Sequence, residues 1–144
     1  MLFPKKVKYR KAFTKRMKPK RQASMVESRG VDLSFGSYGI KATEYARVTS
    51  NQIEAARKVI SRHASKSGKV WIRIFPDRPF TQKPAEVKMG KGKGDLQGYY
   101  AEVKAGRIMF EVDGVEGPQA VKALTMASAK LPVKTKVVSR TLFA

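Results

Sequence analysis

The sequence predicts a single α+β domain over residues 31–144, preceded by a basic N-terminal extension over residues 1–30. Two segments have the apolar spacing of amphipathic helices, and short runs rich in β-branched and aromatic residues alternate with them. A chain of 144 residues, 42% of them hydrophobic, can bury one core. We therefore expect two helices packed on one mixed sheet.

The N-terminal extension carries half of the net charge. Residues 1–22 contain ten cations and no acid, within a formal net charge of +20 for the chain. Like charges at this density oppose folding of the segment by itself, so a polyanionic partner is expected. Phe3, Tyr9 and Phe13 lie among the cations, and aromatic rings that can stack on bases favour RNA as that partner. A disordered, solubilising tail is the alternative.

Two extended segments are expected next. Val31–Phe35 alternates in polarity and predicts a short strand that ends at Gly36, and Gly39–Val48 is also predicted to be extended.

The first helix has signals at both ends. Thr49 and Gln52 can form a capping box, and Asn51 with Glu54 is the alternative pair. One apolar stripe follows, made of Ile53, Ala56, Ile60 and Ala64. Gly68 is expected to end the helix in the left-handed conformation that glycine favours.

The next strand is predicted over Val70–Phe75, because β-branched and aromatic residues dominate it and Pro76 closes it. Trp71 and Arg73 fall on the same face of this strand. They are either the edge of the core with a surface cation beside it, or a contact to ribose and phosphate.

A long functional loop is predicted over residues 76–96, because Phe75–Gly94 contains three prolines and three glycines. Its Met89–Gly94 segment lacks the Walker pattern, since neither Ser nor Thr follows the last lysine. The glycines there let backbone amides approach phosphate, and the lysines neutralise its charge. The segment is therefore predicted to reach into RNA, with a flexible, solvent-exposed loop as the alternative.

The remaining elements are a hairpin, a helix and a strand. Gln97–Lys104 and Arg107–Val112 are predicted to pair around Ala105 and Gly106. Pro118 opens the second helix, and Pro132 stops it. The apolar stripe of this helix is Ala120, Leu124, Ala127 and Leu131, and Val133–Leu142 is the closing strand.

Several function classes have no support in the sequence. The chain has no cysteine and a single histidine, His63, so thiolate sites and two-histidine metal sites are excluded. The sequence contains no apolar run of about 18 residues, so we expect no membrane-spanning helix. It also lacks a large apolar face that could bind lipid, so we expect no membrane partner. No catalytic pattern of carboxylates or serines is present, so we expect no enzyme activity and no cofactor. A DNA-compacting protein is the alternative, but such proteins often dimerise and the core needs both helix stripes.

Six motifs occur in an order that resembles one known family. They are Met1–Lys11, Asn51–Arg57, Gly68–Asp77, Pro79–Glu86, Met89–Gly94 and Lys130–Lys136. The pair Phe-Pro-Asp and Met-Gly-Lys-Gly-Lys-Gly is the most specific. Together the motifs resemble the bacterial-type large-subunit ribosomal protein L sixteen family over nearly the whole chain.

The resemblance implies an α/β-hammerhead-like fold and a structural role in the large ribosomal subunit. Its implied partners are large-subunit rRNA, with the small rRNA of that subunit nearby, and other large-subunit proteins. It also implies contact with A-site tRNA, and with P-site tRNA as a further option, through the glycine–lysine loop. The implied location is the cytoplasmic ribosome of a bacterium, with an organelle ribosome as the alternative.

Two departures limit what the resemblance implies. Lys88 stands where bacterial relatives often have an arginine that a hydroxylase modifies, so that modification is not carried over to this chain. Lys18–Arg29 is longer than the usual connection between the basic extension and Val31, so the family's contacts are not carried over to this segment.

The predicted contact residues form two sets. The rRNA-binding set is Lys5, Lys6, Lys8, Arg10, Lys11, Lys15, Arg16, Arg57, Arg62 and Arg73. The set near tRNA is Lys83, Lys88, Met89, Gly90, Lys91, Gly92, Lys93 and Gly94.

Overall fold

A computed structural model describes residues 1–14, 17–64 and 67–140, and it confirms the α+β class. The helices in these ranges are α1 (Pro19–Ala23), α2 (Ser50–His63) and α3 (Gly117–Ser128). The strands are β1 (Tyr38–Ala42), β2 (Ala46–Thr49), β3 (Lys69–Ile72), β4 (Arg78–Gln82), β5 (Asp95–Val103), β6 (Ile108–Asp113) and β7 (Thr135–Ser139).

Four strands form an antiparallel sheet in the order β3-β6-β1-β7. One row across this sheet consists of Trp71, Glu111, Gly39 and Val138. Because side chains alternate along a strand, this row lies on one face of the sheet. Phe110, one residue before Glu111, lies on the opposite face and is fully buried in the core.

The other three strands form a second antiparallel sheet in the order β2-β5-β4. The long strand β5 lies in the middle, and Pro79 sits in the edge strand β4 opposite Tyr99. An edge strand tolerates proline because its outer N–H groups need no partner strand.

Helix α2 begins as predicted. The Thr49 hydroxyl accepts a hydrogen bond from the Gln52 amide at 3.4 Å, and the Gln52 side chain accepts one from the Thr49 amide at 2.9 Å. This confirms the capping box. The apolar stripe is buried, but the helix ends at His63. The predicted ending at a left-handed Gly68 is wrong, because Gly68 has no positive φ; a Cβ there would lie 2.4 Å from the Ala64 carbonyl oxygen.

Helix α3 packs beside α2 on the same core. Pro118 lies in its first turn, and Ala120, Leu124 and Ala127 are fully buried, as the apolar stripe predicts. The core joins both helices to both sheets, and its members include Ile53, Leu124, Phe110, Ile40 and Val48. Within the described residues the closing strand is β7, Thr135–Ser139, which begins two residues later than predicted; residues 141–142 of the predicted strand lie outside the described residues.

Two predictions about strands are wrong. Val31–Phe35 forms no strand, because backbone amides there bond to the Glu111 carboxylate instead of to a neighbouring strand. The predicted hairpin does not form, because β5 and β6 belong to different sheets. Gly106, with φ 95°, makes the corner between them, and its amide donates to the Ala42 carbonyl at 2.7 Å.

Two further predictions, about the sheet and about the long loop, need correction. Two antiparallel sheets replace the single mixed sheet. Strand β4 lies inside the predicted loop of residues 76–96, which leaves residues 83–94 as the connection to β5; we call residues 83–94 the glycine–lysine loop. The division into an extension and one domain stays a prediction.

Candidate nucleic-acid interface

The N-terminal segment of residues 1–14, which we call the arm, has no helix or strand. Its cations Lys5, Lys6, Lys8 and Arg10 are all exposed, and Lys11 is half-buried. The predicted contacts Lys15 and Arg16 lie outside the described residues. A row of exposed cations on an extended backbone can follow a phosphate chain, since each ammonium or guanidinium group can approach one phosphate.

The arm is fixed to the body at its start. Leu2 is partly buried and packs against the core cluster. Phe3 and Tyr9, by contrast, are 59% and 71% exposed. The Lys8 ammonium lies 5.6 Å from the centroid of the Tyr9 ring, a cation–π contact that brings charge and ring together.

The end of the arm contacts the glycine–lysine loop. The Lys93 ammonium donates a hydrogen bond to the Ala12 carbonyl and lies 4.9 Å from the Phe13 ring centroid. Lys11 forms an ion pair at 3.6 Å with Asp95, directly after the loop. The arm and the loop are separate segments in the sequence. In the structure, they form one continuous basic surface.

The backbone at the loop tip depends on glycine. Gly90 and Gly92 have φ values of 95° and 101°, and Lys91 between them has φ 54°. A Cβ at Gly90 or Gly92 would meet no atom within 4 Å, so the left-handed backbone, and not crowding, favours glycine there. The Lys83 ammonium donates to the Gly90 carbonyl and thereby ties the base of the loop to its tip.

The loop presents its remaining side chains to solvent. Lys88, Lys91 and Lys93 are exposed, and Met89 is 92% exposed. Residues 83–84 and 87–95 line a cavity of about 600 Å³ on this surface. Exposed lysines and backbone amides without overlying side chains can accept a phosphate-bearing partner.

The predicted contacts on α2 differ from each other. Arg57 is half-buried and forms two hydrogen bonds with Glu54, at 3.0 and 2.6 Å. These hydrogen bonds raise the pKa of the Arg57 guanidinium and lower that of the Glu54 carboxyl. Arg62 is exposed. Arg62 is therefore available to an external anion, whereas Arg57 has an internal partner.

Arg73 also has an internal partner. Its guanidinium donates to the carboxylate of Glu111, which is fully buried, and lies 5.3 Å from the ring centroid of Phe35. The backbone amides of Phe35 and Gly36 each donate to the same carboxylate at 2.7 Å, and the Ser34 amide donates at 3.2 Å. Burial alone would raise the pKa of the Glu111 carboxyl, but these hydrogen bonds outweigh it and hold the pKa below its ordinary value.

No prediction from the sequence included this carboxylate site. A single acid within the apolar run Ile108–Val112 was the available signal, because a charged residue in a buried strand needs partners. The three amide partners lie more than 70 residues away along the chain, at residues 34–36, and Arg73 lies 38 residues away.

Other kinds of site find no support in the described ranges. No group of three or more His, Asp or Glu side chains there could hold a metal ion. No helix there is both long enough and apolar enough to cross a membrane.

Comparison with known proteins agrees with the resemblance seen in the sequence. Residues 4–138 match the family described as Ribosomal protein L16p/L10e. The large ribosomal subunit protein uL16 of Erythrobacter litoralis is 56% identical over 140 residues, which cover 97% of this chain and 93% of that protein. The proteins of the same name from Sphingopyxis alaskensis and Rhodopseudomonas palustris are 54% and 53% identical over 140 residues; these cover 97% of this chain and 94% and 98% of those proteins.

Proposed function

The chain belongs to the Ribosomal protein L16p/L10e family, whose members are structural parts of the large ribosomal subunit, and we propose that it binds rRNA and tRNA there. The arm binds large-subunit rRNA, near the small rRNA of that subunit and other large-subunit proteins. The glycine–lysine loop contacts A-site tRNA, with P-site tRNA as a further option. The location is the ribosome of the bacterial cytoplasm, in agreement with the bacterial relatives; an organelle ribosome is the alternative.

The continuous surface of arm and loop carries this proposal. The exposed cations of the arm neutralise rRNA phosphates, and the release of counterions from the RNA drives binding. The Lys93 and Lys11 contacts then hold the loop beside the bound arm. A loop positioned in this way orients tRNA by contact and charge without taking part in bond chemistry.

Some of the residues proposed to contact RNA already have partners within the protein. Lys83 and Arg57 are already hydrogen-bonded within the protein, and Arg73 neutralises a buried carboxylate. We therefore assign tRNA contact in the loop first to Lys88 and Lys91, whose side chains are exposed. Lys93 has a second role, because it joins the loop to the arm.

Neutralising the loop tests the tRNA contact. In the double variant Lys88→Gln/Lys91→Gln, A-site tRNA binding to reconstituted subunits should weaken about tenfold, as expected for the loss of one or two charge-assisted contacts. Incorporation of the protein into the subunit should stay unchanged, because the arm is intact. The measurements are tRNA filter binding and the amount of protein that sediments with the subunit.

The control is Lys58→Gln/Lys122→Gln, which removes two exposed cations from the helices. Equal effects of the two double variants on tRNA binding would contradict a tRNA-contacting loop. So would a loss of incorporation as large as the loss of tRNA binding.

A further inference from the structure

We propose that Phe35 and Trp71 form a stacking site for an unpaired RNA base, separate from the arm and the glycine–lysine loop. The two rings are stacked, with centroids 6.1 Å apart and planes 17° from parallel. Phe35 is 56% exposed and Trp71 is half-buried, so aromatic surface faces solvent. The inference rests on the proposed function, because an RNA partner supplies the base.

The backbone that carries Phe35 is held firmly. Three consecutive amides, from Ser34 to Gly36, donate to the buried Glu111 carboxylate. The backbone also passes close to β6, since a Cβ on Gly36 would lie 2.6 Å from the Val112 carbonyl oxygen. The hydrogen bonds to the buried Glu111 carboxylate thus fix the backbone from which the exposed Phe35 ring projects. A ring fixed before binding loses little entropy when a partner stacks on it.

Cations border the ring pair. The Arg73 guanidinium lies 5.3 Å from the Phe35 ring centroid, and exposed Lys69 shares the Trp71 face of β3. Exposed Arg140 donates to the two backbone carbonyls before Phe35, each at 3.2 Å. Asp113, opposite Lys69, accepts a hydrogen bond from Ser37 at 2.6 Å.

A nucleotide fits these observations. Aromatic rings bind bases by stacking, and an exposed cation such as Lys69 can bind a phosphate that flanks the base. The net charge of +20 favours a polyanion over a neutral protein surface as the partner. The base must be unpaired, because a base inside a duplex already has a neighbour on each face.

Tryptophan fluorescence tests the site directly, because Trp71 is the only tryptophan in the chain. The probe is single-stranded oligoadenylate RNA of about ten nucleotides. We expect saturable quenching of Trp71 emission by this RNA. An RNA duplex of the same length should bind through its phosphates without quenching. Binding of the single strand without quenching would overturn the proposal.

Two variants distinguish the loss of base stacking from the loss of an exposed apolar side chain as the cause of weaker RNA binding. Phe35→Leu should weaken oligoadenylate binding about 5- to 150-fold, the range for loss of one base–aromatic stack. The salt dependence should not change, because no cation is removed. Phe75→Leu is the matched control, since Phe75 is 48% exposed, follows the end of β3 and is not part of the Phe35–Trp71 ring pair. It should bind like the parent protein.

The outcomes separate this inference from the proposed function. Equal affinities of Phe35→Leu and the parent protein for oligoadenylate would overturn the stacking site. Normal RNA binding by Phe35→Leu together with weaker incorporation into the subunit would also overturn it, because that result indicates a protein partner for Phe35. Absence of any salt-dependent RNA binding by the parent protein would instead contradict the proposed function. If Phe35→Leu lowers the melting temperature, Phe35→Tyr serves as the second variant. It keeps the ring and should keep both quenching and affinity, and loss of either would overturn the proposal.

Discussion

Glu111 is the one charged or polar residue that is buried within the described ranges. Burial of a carboxylate costs free energy unless hydrogen bonds and an opposite charge compensate. Three amides and Arg73 provide both at this position. The carboxylate therefore ties the segment before β1 to the outer face of the four-stranded sheet.

Replacing Glu111 should destabilise the fold strongly. Glu111→Gln puts an amide NH2 group among N–H donors and leaves the Arg73 charge without its partner. We expect the free energy of unfolding to fall by about 3–5 kcal/mol, measured by urea denaturation. The control is Glu54→Gln, which breaks the surface ion pair with Arg57 and should cost at most about 1 kcal/mol.

The same measurement at lower pH gives a second result. Because the folded-state pKa of Glu111 lies below its unfolded value of about 4.3, its contribution to stability is full above that value. The contribution is lost as the pH falls through the folded-state pKa. The stability difference between the parent protein and Glu111→Gln should therefore shrink below about pH 4. A difference that is absent at pH 7, or that grows in acid, would contradict this role.

Individual side chains were only partly predictable. Exposure of Lys5 or Arg62 follows from composition, because charged side chains are seldom buried. The internal partner of Arg73 was not predictable, since it depends on which strand lies beside β3. The sequence allows either a surface cation or a ribose–phosphate contact for Arg73, and in the structure Arg73 forms an ion pair with Glu111.

At the scale of elements, the contact between arm and loop is the feature with the clearest consequence. The Lys93 side chain both donates to the Ala12 carbonyl of the arm and lies 4.9 Å from the Phe13 ring centroid. Lys93 and Phe13 are both exposed to solvent, so each contact by itself contributes little. Together with the Lys83–Gly90 hydrogen bond, they restrict a loop whose tip is otherwise open, since a Cβ at Gly90 or Gly92 would meet no atom within 4 Å.

Removing the lysine should release the loop. In Lys93→Gln, we expect NMR order parameters for the amides of residues 89–94 to fall below about 0.6, the range of flexible backbone. Lys91→Gln is the control, because Lys91 is exposed and lies two residues from the contact. Unchanged order parameters in Lys93→Gln, or equal falls in both variants, would contradict a role for Lys93 in positioning the loop.

Helices and strands were predictable from the sequence where residues close together in the chain determine them. The α2 cap involves residues three positions apart, and the apolar stripes of both helices repeat over a few turns. Strand pairing was not predictable in the same way. β5 and β6 have the pattern of a hairpin, but Gly106 turns the chain from one sheet to the other. β4 was missed because Pro79 argues against a strand except at an edge.

For the whole molecule, charge distribution is the property that the sequence predicts best. The ten cations of residues 1–22 can be read without any knowledge of the fold, and so can the resemblance over nearly the full chain. Two features could be seen only in the structure. They are the contact that joins arm and loop into one surface and the division of the strands into two sheets. Both depend on contacts between residues far apart in sequence.

The salt dependence of rRNA binding is the most direct test of whether the arm cations neutralise RNA phosphates. The measurement compares the parent protein, a variant with Lys5, Lys6, Lys8 and Arg10 all changed to Gln, and a control with Lys58, Lys122, Lys130 and Lys134 all changed to Gln. If each arm cation neutralises one phosphate, the slope of log affinity against log salt concentration should become shallower by about 3 in the arm variant. It should change less in the control. An arm variant with the slope of the parent protein, or with the slope of the control, would contradict the account.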